Sequence, residues 1–394
     1  MKRYVQTLIT VLGVALVALL ALSPAYAADQ PFVYGLLMVG PANDHGWSQA
    51  RFEAAQEIEK KVPGTKMIYI DKVNPADRPG ITVPTLVDDL VSKGAKLIIG
   101  NSDDMKDGMQ EAALMHPDVY FVHISGDGAL TGEASKNLTN LMGRMEYGKM
   151  MAGFVAALTT KTGKIGDLGP LINAETRRLA ASTYLGARYA WTKVLKKPLK
   201  DLKYKVSWIG FWFNIPGVTS DPTLVMRNFI DSGYDVIVSG IDTTEALIVA
   251  GQKRKEGASV WAVPYDFKGA CAEAPDACLG VPFFNWFPGY KQIITSAMKG
   301  SFKQQFLWLG PDWKDLNNAE TSSIGFQNGA ALGEEQAKAL ADFQKGLADG
   351  SINLFSGPLN FQDGTVFLKE GEKATDTQIW NLSQLLEGME GASK

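Results

Sequence analysis

The residues best suited to chemistry lie in the short loop Asn43-Asp44-His45-Gly46-Trp47-Ser48-Gln49. Its indole stands beside the amide of Asn43, the carboxylate of Asp44 and the hydroxyl of Ser48. A flat polar ring could stack on the indole and form hydrogen bonds with these groups. The same residues also suit a structural use, because Asp44 can cap a following helix and Trp47 can lie in the core. For this loop alone, both interpretations stay open.

More aromatic and polar residues occur where other apolar runs end. Because ligands bind outside the carboxyl ends of the strands in open α/β sheets, we expect these residues to converge on one cleft. Aromatic planes would stack on a flat ligand, and a buried carboxylate or amide would read its edge. Taken together, the candidate ligand-binding residues are Trp47, Asn43, Asp44, Ser48, Asn101, Phe211, Trp212, Asn214, Gly240, Asp242, Asp266, Asn285 and Trp286.

Several of these residues have ordinary structural alternatives. Within the predicted strand 205–213, Phe211 and Trp212 face opposite sides, so only one of them can face the cleft. Asp266 could cap the next segment, and Asn285 could satisfy backbone groups in a turn. The adjacent acidic residues 103–104 are typical of a solvated helix start.

Apolar runs and helical patterns alternate along the chain, which predicts mostly parallel sheets covered by helices. The loop 43–49 joins a predicted strand to a helix with apolar residues at helical spacing. A first series of predicted strands covers 32–39, 66–71, 96–100 and 119–124. A second series covers 164–168, 205–213, 234–239 and 259–265. Two series of similar size predict two similar lobes, with the break near 150–162 and a cleft that closes on a ligand.

The last part of the chain, 301–394, is less regular than the two series. Its pattern predicts a helix near 334–348, a short strand at 352–355 and a last helix near 376–389. This segment is too irregular for a third domain, so we expect it to return to the two lobes.

The N-terminus has the pattern of an export signal. Lys2 and Arg3 precede an apolar run from Leu8 to Leu22, and small residues then lead to Ala27. We expect cleavage near Ala27, which predicts a periplasmic protein with no stable membrane insertion. Without its two basic residues, the mature chain has 37 basic residues against 42 acidic ones, a formal charge of −5. This weak acidity argues against nucleic acid as a partner.

The only two cysteines, Cys271 and Cys278, have six residues between them. In an oxidising exported compartment this pair is expected to form a disulfide. The three histidines show no zinc-binding spacing, so we predict no metal site. The chain has no Gly-x-Ser-x-Gly elbow, Walker loop or dinucleotide fingerprint, so we predict no cofactor. No nucleophile, base and orienting group can be assembled, which argues against an enzyme.

Five short motifs, in this order, resemble those of the basic membrane protein (BMP) family of ABC-transporter substrate-binding proteins. The family's Asp-x-Gly-Phe-Asn-Gln signature is similar to 44–49, and its Leu-Ile-Ile-Gly strand end is similar to 97–100. A helix containing Leu-Ala-Gly resembles 146–153, and the Lys-Ile-Gly strand matches 164–166. The strand that ends in a base-binding acidic residue resembles Val263-Pro264-Tyr265-Asp266. The resemblance covers about 31–385.

The resemblance implies a type I periplasmic binding protein with two Rossmann-like lobes and parallel sheets. We expect an N-terminal lobe of 31–155 plus about 284–325, and a C-terminal lobe of 156–283 plus about 326–390, after the signal peptide 1–27. It also implies a non-enzymatic protein that delivers a small molecule to the permease subunits of an ABC importer. The best-known members of the family bind purine nucleosides.

The chain departs from the family at the residues that would hold a sugar. Trp47 replaces the stacking Phe, and Ser48 replaces the following Asn. Nucleoside-binding members have a Lys after the base-reading Asp, whereas this chain has the apolar segment around Asn285 and no basic residue there. These departures predict a free purine base, with adenine favoured, that stacks on Trp47 and donates N–H groups to Asp266. The alternatives are a purine nucleoside, another planar aromatic ligand, or a secreted nucleosidase or hydrolase.

Overall fold

Two parallel sheets form the centres of two lobes in the computed structural model, which describes residues 30–394. The predicted signal peptide, 1–27, lies outside the described residues. The first sheet has the strand order β11-β5-β4-β3-β1-β2, and the second has the order β15-β7-β6-β8-β9. Every pairing within both sheets is parallel. This arrangement confirms the predicted α/β class with parallel sheets.

The strands of the first sheet are β1 (Phe32–Leu37), β2 (Thr65–Ile70), β3 (Leu97–Gly100), β4 (Tyr120–Ile124), β5 (Leu138–Gly143) and β11 (Phe306–Leu309). The strands of the second sheet are β6 (Lys164–Gly169), β7 (Lys203–Trp208), β8 (Val236–Ser239), β9 (Trp261–Val263) and β15 (Met389–Glu390). Two further pairs are antiparallel: β10 (Gly280–Phe284) with β12 (Ile324–Asn328), and β13 (Leu359–Asn360) with β14 (Val366–Leu368).

Helices cover these sheets. In chain order they are α1 (Trp47–Lys61), α2 (Val83–Ser92), α3 (Lys106–Met115), α4 (Gly128–Thr131), α5 (Met145–Thr159), α6 (Ala174–Tyr189), α7 (Pro222–Asp231), α8 (Glu245–Lys255), α9 (Phe287–Met298), α10 (Glu334–Ala348) and α11 (Asp376–Trp380). Strands β3, β5 and β8 are buried along their whole length, and the burial of β3 and β8 explains their continuous apolar sequences.

The chain passes between the two sheets three times: after β5, between β9 and β11, and after β11. The last two passages include β10 and β12, which pair with each other. Helix α5 spans the first passage, because Met145 belongs to the core of the first lobe and Met150 to the core of the second.

Helix α5 lies unusually close to α6. A Cβ at Gly153 would lie 1.8 Å from the carbonyl oxygen of Thr183, and one at Gly186 would lie 2.0 Å from that of Met150. Both positions therefore require glycine. The small-residue face seen in the sequence of α5 is the packing surface for α6.

The structure corrects several predictions for individual elements. Strand β5 is missing from the predicted series, and the predicted strand 352–355 does not form. The predicted helix 376–389 ends at Trp380. Beyond it the backbone bonds to other segments: the amide of Gln362 donates to the carbonyl of Leu385, and that of Glu387 donates to Asn360. These contacts replace the helical hydrogen bonds that the apolar spacing of 379–389 had suggested.

Two other findings bear on predictions for the whole chain. The Sγ atoms of Cys271 and Cys278 lie 2.03 Å apart, at bonding distance. Within residues 30–394, no helix is long and apolar enough to span a membrane.

Candidate ligand-binding site between the lobes

A cavity lies between the lobes at the carboxyl ends of the strands of both sheets. Its lining includes Ser102 after β3, Ser125 after β4, Gly240 after β8 and Tyr265 after β9. It contains about 490 Å³ of space, counted together with the solvent at its mouth. The position is the one where ligands bind in open α/β sheets.

Four aromatic side chains line the cavity: Trp47, Trp208, Trp212 and Tyr265. Trp47 comes from the first lobe and the other three from the second. Of the aromatic candidates from the sequence, Trp47 and Trp212 line the cavity, whereas Phe211 and Trp286 do not. Such planes provide the stacking surfaces that a flat ligand needs.

Trp47 is the first residue of α1 and is 6% exposed. Its indole Nε1 donates a hydrogen bond of 2.7 Å to the carbonyl of Asn101, which fixes the ring against the end of β3. The edge of the ring packs against Phe284 at 5.5 Å and Trp286 at 5.8 Å between ring centroids. Trp47 therefore has both a core contact and a place on the cavity wall.

A buried guanidinium lies over Trp47. The Cζ of Arg51, one helical turn further along α1, lies 3.0 Å from the centroid of the indole and 4.0 Å from that of Trp286. Its Nη1 donates to the carbonyl of Trp47, whereas Nε and Nη2 have no partner within the described residues. Burial lowers the pKa of Arg51 to about 10, and the nearby Asp266 and Asp242 act in the opposite direction. Arg51 holds the stacking residue in place.

The polar residues next to Trp47 mainly shape the loop. The carboxylate of Asp44 accepts hydrogen bonds from the amides of Gly46, Ser48 and Gln49, so it caps the start of α1. The hydroxyl of Ser48 accepts from the amide of Gly40. Asn43 is exposed. The structure does not place Asn43, Asp44 or Ser48 on the cavity wall.

The loop after β7 separates the two alternatives left open for its aromatic residues. The strand ends at Trp208. Residues 211–213 were predicted to belong to this strand, but they lie in the loop that follows it. Trp212 lines the cavity, whereas Phe211 packs on Phe213 at 5.2 Å and on the core of the first lobe. The side chain of Asn214 accepts a hydrogen bond from Thr219 and stays within this loop.

Asp266 is fully buried and has a left-handed backbone with φ of 72°. Neither carboxylate oxygen has a hydrogen-bond partner within the described residues. Burial raises its pKa well above the ordinary value, while Lys149 and Arg51 oppose the rise. Burying a carboxylate without hydrogen-bond partners costs free energy, so Asp266 needs a donor from outside the described chain to satisfy its oxygens.

Asp242 carries a buried carboxylate on the cavity wall, beside Gly240, whereas Asp266 lies behind Tyr265 and is not among the wall residues. Burial raises the pKa of Asp242 well above its ordinary value, and the negative charge of Asp266 adds to the rise. The two carboxylates come from neighbouring strand ends, as the sequence predicted.

The remaining candidates lie behind the wall. The amide oxygen of Asn101 accepts from the amide of Val39, and its Nδ2 is buried without a partner in the described chain. The Nδ2 of Asn285 donates to the carbonyls of Ala319 and Ser322, which is the turn-stabilising alternative. Trp286 is 3% exposed and stacks on Phe284 at 4.7 Å.

Sequence reasoning found Asp242 but missed four other charged residues of the cavity wall. These are Lys149 on α5, Asp167 on β6, Glu175 on α6 and Asp103 after β3. Asp103 was expected to be a solvated helix start. Lys149 and Asp167 could have been recognised from the sequence, because each is a charged residue inside an apolar helix or strand. Burial of an unpaired charge is costly, so such a residue indicates a functional site.

Lys149 is the cation of this group and is 2% exposed. Its Nζ donates a hydrogen bond of 2.6 Å to the carbonyl of Ser239 and lies 3.5 Å from the ring centroid of Tyr265. Burial lowers the pKa of Lys149 to about 8, while Asp167 and Asp266 act to raise it. The sequence had suggested a site without a lysine, but α5 supplies one.

Two lobes with parallel sheets and a cavity at their carboxyl ends define the type I periplasmic binding architecture. A solved ABC transporter solute-binding protein from Aeropyrum pernix K1 has the same fold. It superposes with a TM-score of 0.66 at 13% sequence identity, covering 91% of this chain and 100% of that chain.

The chain belongs to the Bmp family, described as ABC transporter substrate-binding protein PnrA-like, whose model matches residues 32–312. It is 27% identical over 381 residues to a purine-binding protein of Brucella abortus (strain 2308), covering 96% of this chain and 98% of the relative. It is 24% identical over 278 residues to a putative ABC transporter glucose-binding protein of Haloferax volcanii, covering 69% of this chain and 62% of that relative. The resemblance seen in the sequence is thereby confirmed.

Proposed function

We propose that this chain is the periplasmic, non-enzymatic binding component of an importer for a purine nucleobase, with adenine favoured. The observation that carries the proposal is the aromatic cavity between the lobes together with the unpartnered, fully buried carboxylate of Asp266. Adenine is flat, and its amino and ring N–H groups are donors. Stacking on Trp47 and Trp212 would hold its faces, and Asp266 would accept from its edge.

Two further observations support a purine. The relative from Brucella abortus that bears the name purine-binding protein matches this chain over nearly its whole length. Lys268, two residues after Asp266, is exposed and does not line the cavity. The apolar segment 283–286 contains no lysine, and the Nδ2 of Asn285 donates to backbone carbonyls. A free base is therefore favoured over a nucleoside, because no charged group from this segment reaches towards a sugar.

The ligand can be identified directly. The protein is purified from the periplasm without added ligand, denatured, and the released small molecules are measured by mass spectrometry. Adenine or a related purine base is the expected species. Release of a non-purine ligand, with no purine binding in a subsequent titration, would refute the proposal.

The same preparation separates binding from hydrolysis. The protein is incubated with adenosine, and free base is followed by chromatography. A binding protein yields no more than trace base, whereas steady turnover would show a nucleosidase and contradict the non-enzymatic proposal.

A further inference from the structure

Lys149 and Asp266 act on each other through their charges, but no salt bridge or hydrogen bond joins them among the described residues. The ammonium of Lys149 contacts the ring of Tyr265 at 3.5 Å, and Asp266 is the next residue in the chain. Both side chains are buried, and each shifts the pKa of the other through its charge. Both oxygens of Asp266 nevertheless lack a hydrogen-bond partner among residues 30–394.

Lys149 also has donors to spare. An ammonium carries three N–H groups, and the carbonyl of Ser239 is the only acceptor that the described residues provide for them. Lys149 lines the cavity. Lys149 is therefore a buried cation with unused donors, and Asp266 is a buried anion with unused acceptor sites.

We propose that Lys149 and Asp266 together read one edge of the bound base. Lys149 donates to a ring nitrogen, and Asp266 accepts from the N–H group beside it. In adenine, this pattern occurs where the exocyclic amino group is flanked by the ring nitrogens N1 and N7. The inference rests on the proposed function and adds to it a residue that determines which heterocycle fits.

The surrounding charges make this assignment specific to Lys149. The groups that face its ammonium are Asp167 on β6, Asp266 and Tyr265 after β9, and the carbonyl of Ser239 at the end of β8. Apart from Lys149 itself, the charged residues of the cavity wall are carboxylates. Lys149 is therefore the one charged donor that these wall residues offer to a ligand acceptor.

The test measures binding of adenine, 1-deazaadenine and 7-deazaadenine by calorimetry to the wild-type protein and to Lys149→Met. One of the two deaza analogues lacks the ring nitrogen that accepts from Lys149. The wild-type protein should bind this analogue about tenfold or more weakly than adenine, because a hydrogen bond to a charged group is lost. Lys149→Met should bind adenine more weakly than the wild type by a similar factor. The variant should bind adenine and this analogue with equal affinity. Exposed Lys299→Met is the matched control and should behave as the wild type.

The pH profile gives a second readout that a structural role would not change. Above the pKa of Lys149, about 8, the free protein must take up a proton before its ammonium can donate. The wild-type affinity for adenine should then fall by up to about tenfold per pH unit, whereas Lys149→Met should show no such fall. Both readouts on the wild type stand even if the variant does not fold.

Three results overturn the inference. One is equal binding of all three bases by the wild type, and another is the same analogue pattern and pH profile in Lys149→Met. The third is a larger loss for adenosine than for adenine in Lys149→Met, which would assign the lysine to a sugar. In each case purine binding itself, and with it the proposed function, would stand. Binding of no purine by the wild type would remove both.

Discussion

The backbone amide of Trp47 in the first lobe donates a hydrogen bond of 3.2 Å to the carbonyl of Asp242 in the second lobe. This bond joins the two strand-end loops that carry the first-lobe indole and a second-lobe carboxylate of the cavity. Tyr265 and Phe211 of the second lobe also pack on the core of the first. The structure is therefore the closed form of the cleft, in which the two halves of the site meet.

Gly46→Ala should prevent this closure. A Cβ at Gly46 would lie 1.7 Å from the carbonyl oxygen of Asp242, so the two loops could not approach. Because the clash is between lobes, we expect at least a tenfold loss of affinity with little change in the melting temperature. Calorimetry and thermal unfolding check this, with Gly310→Ala as the control, whose nearest contact would be 3.8 Å. Wild-type affinity in Gly46→Ala would show that binding does not need this contact.

Asp266→Asn should weaken binding of the base by about 1–3 kcal/mol, the range for an unmade buried hydrogen bond. Asparagine keeps the size of the side chain and tolerates the left-handed backbone at this position. Titration of the variant against the wild type measures the loss, and exposed Asp231→Asn provides the control. Unchanged affinity in Asp266→Asn would remove this residue from the site.

Trp212→Leu and Phe211→Leu should differ although they are neighbours. Trp212 lines the cavity, so its loss should reduce affinity by about 1–3 kcal/mol, as for other aromatic residues that stack on bases. Phe211 packs on Phe213 and the first-lobe core, so its replacement should have the smaller effect on affinity. The paired titrations decide between them. A larger loss in Phe211→Leu would reverse the assignment of the stacking residue.

Glu175 should make the stability of the protein depend on pH. Burial raises its pKa from 4.5 to about 7, so the folded state holds the proton more tightly than the unfolded state. This contribution to the free energy of unfolding is present below pH 4.5 and is lost as the pH rises to about 7. At about 1.4 kcal/mol per pKa unit, the loss is on the order of 3 kcal/mol.

Glu175→Gln should remove this dependence, since glutamine does not titrate. Urea unfolding of both proteins at pH 5 and pH 7.5 measures it, and the variant should gain stability relative to the wild type at the higher pH. The same change in both proteins between the two pH values would show that Glu175 is not the group responsible.

The sequence predicted the two-lobed fold because the apolar runs of buried parallel strands are easy to recognise. Trp47 and Asp242, which it expected in the loops after such runs, line the cavity, whereas the choice between Phe211 and Trp212 stayed open. Strand β5 was missed because Thr139 and Asn140 interrupt its apolar pattern, although both are buried.

The charged half of the site could not be predicted in the same way. Lys149 and Asp167 lie within a helix and a strand, so no loop or strand end points to them. Their place on the cavity follows from the packing of α5 against the second sheet, which depends on contacts far apart in sequence. Asn43 and Asn285 were predicted to bind the ligand because they follow predicted strands, but neither lines the cavity. A position after a strand is therefore not sufficient to bring a polar side chain to the cavity wall.

The central claim is that the cleft binds a purine base rather than a nucleoside. Titration calorimetry of the ligand-free protein with adenine, adenosine and glucose tests it most directly. We predict saturable binding of adenine, weaker binding of adenosine and none of glucose. Tighter binding of adenosine than of adenine, or no binding of either purine, would contradict the account.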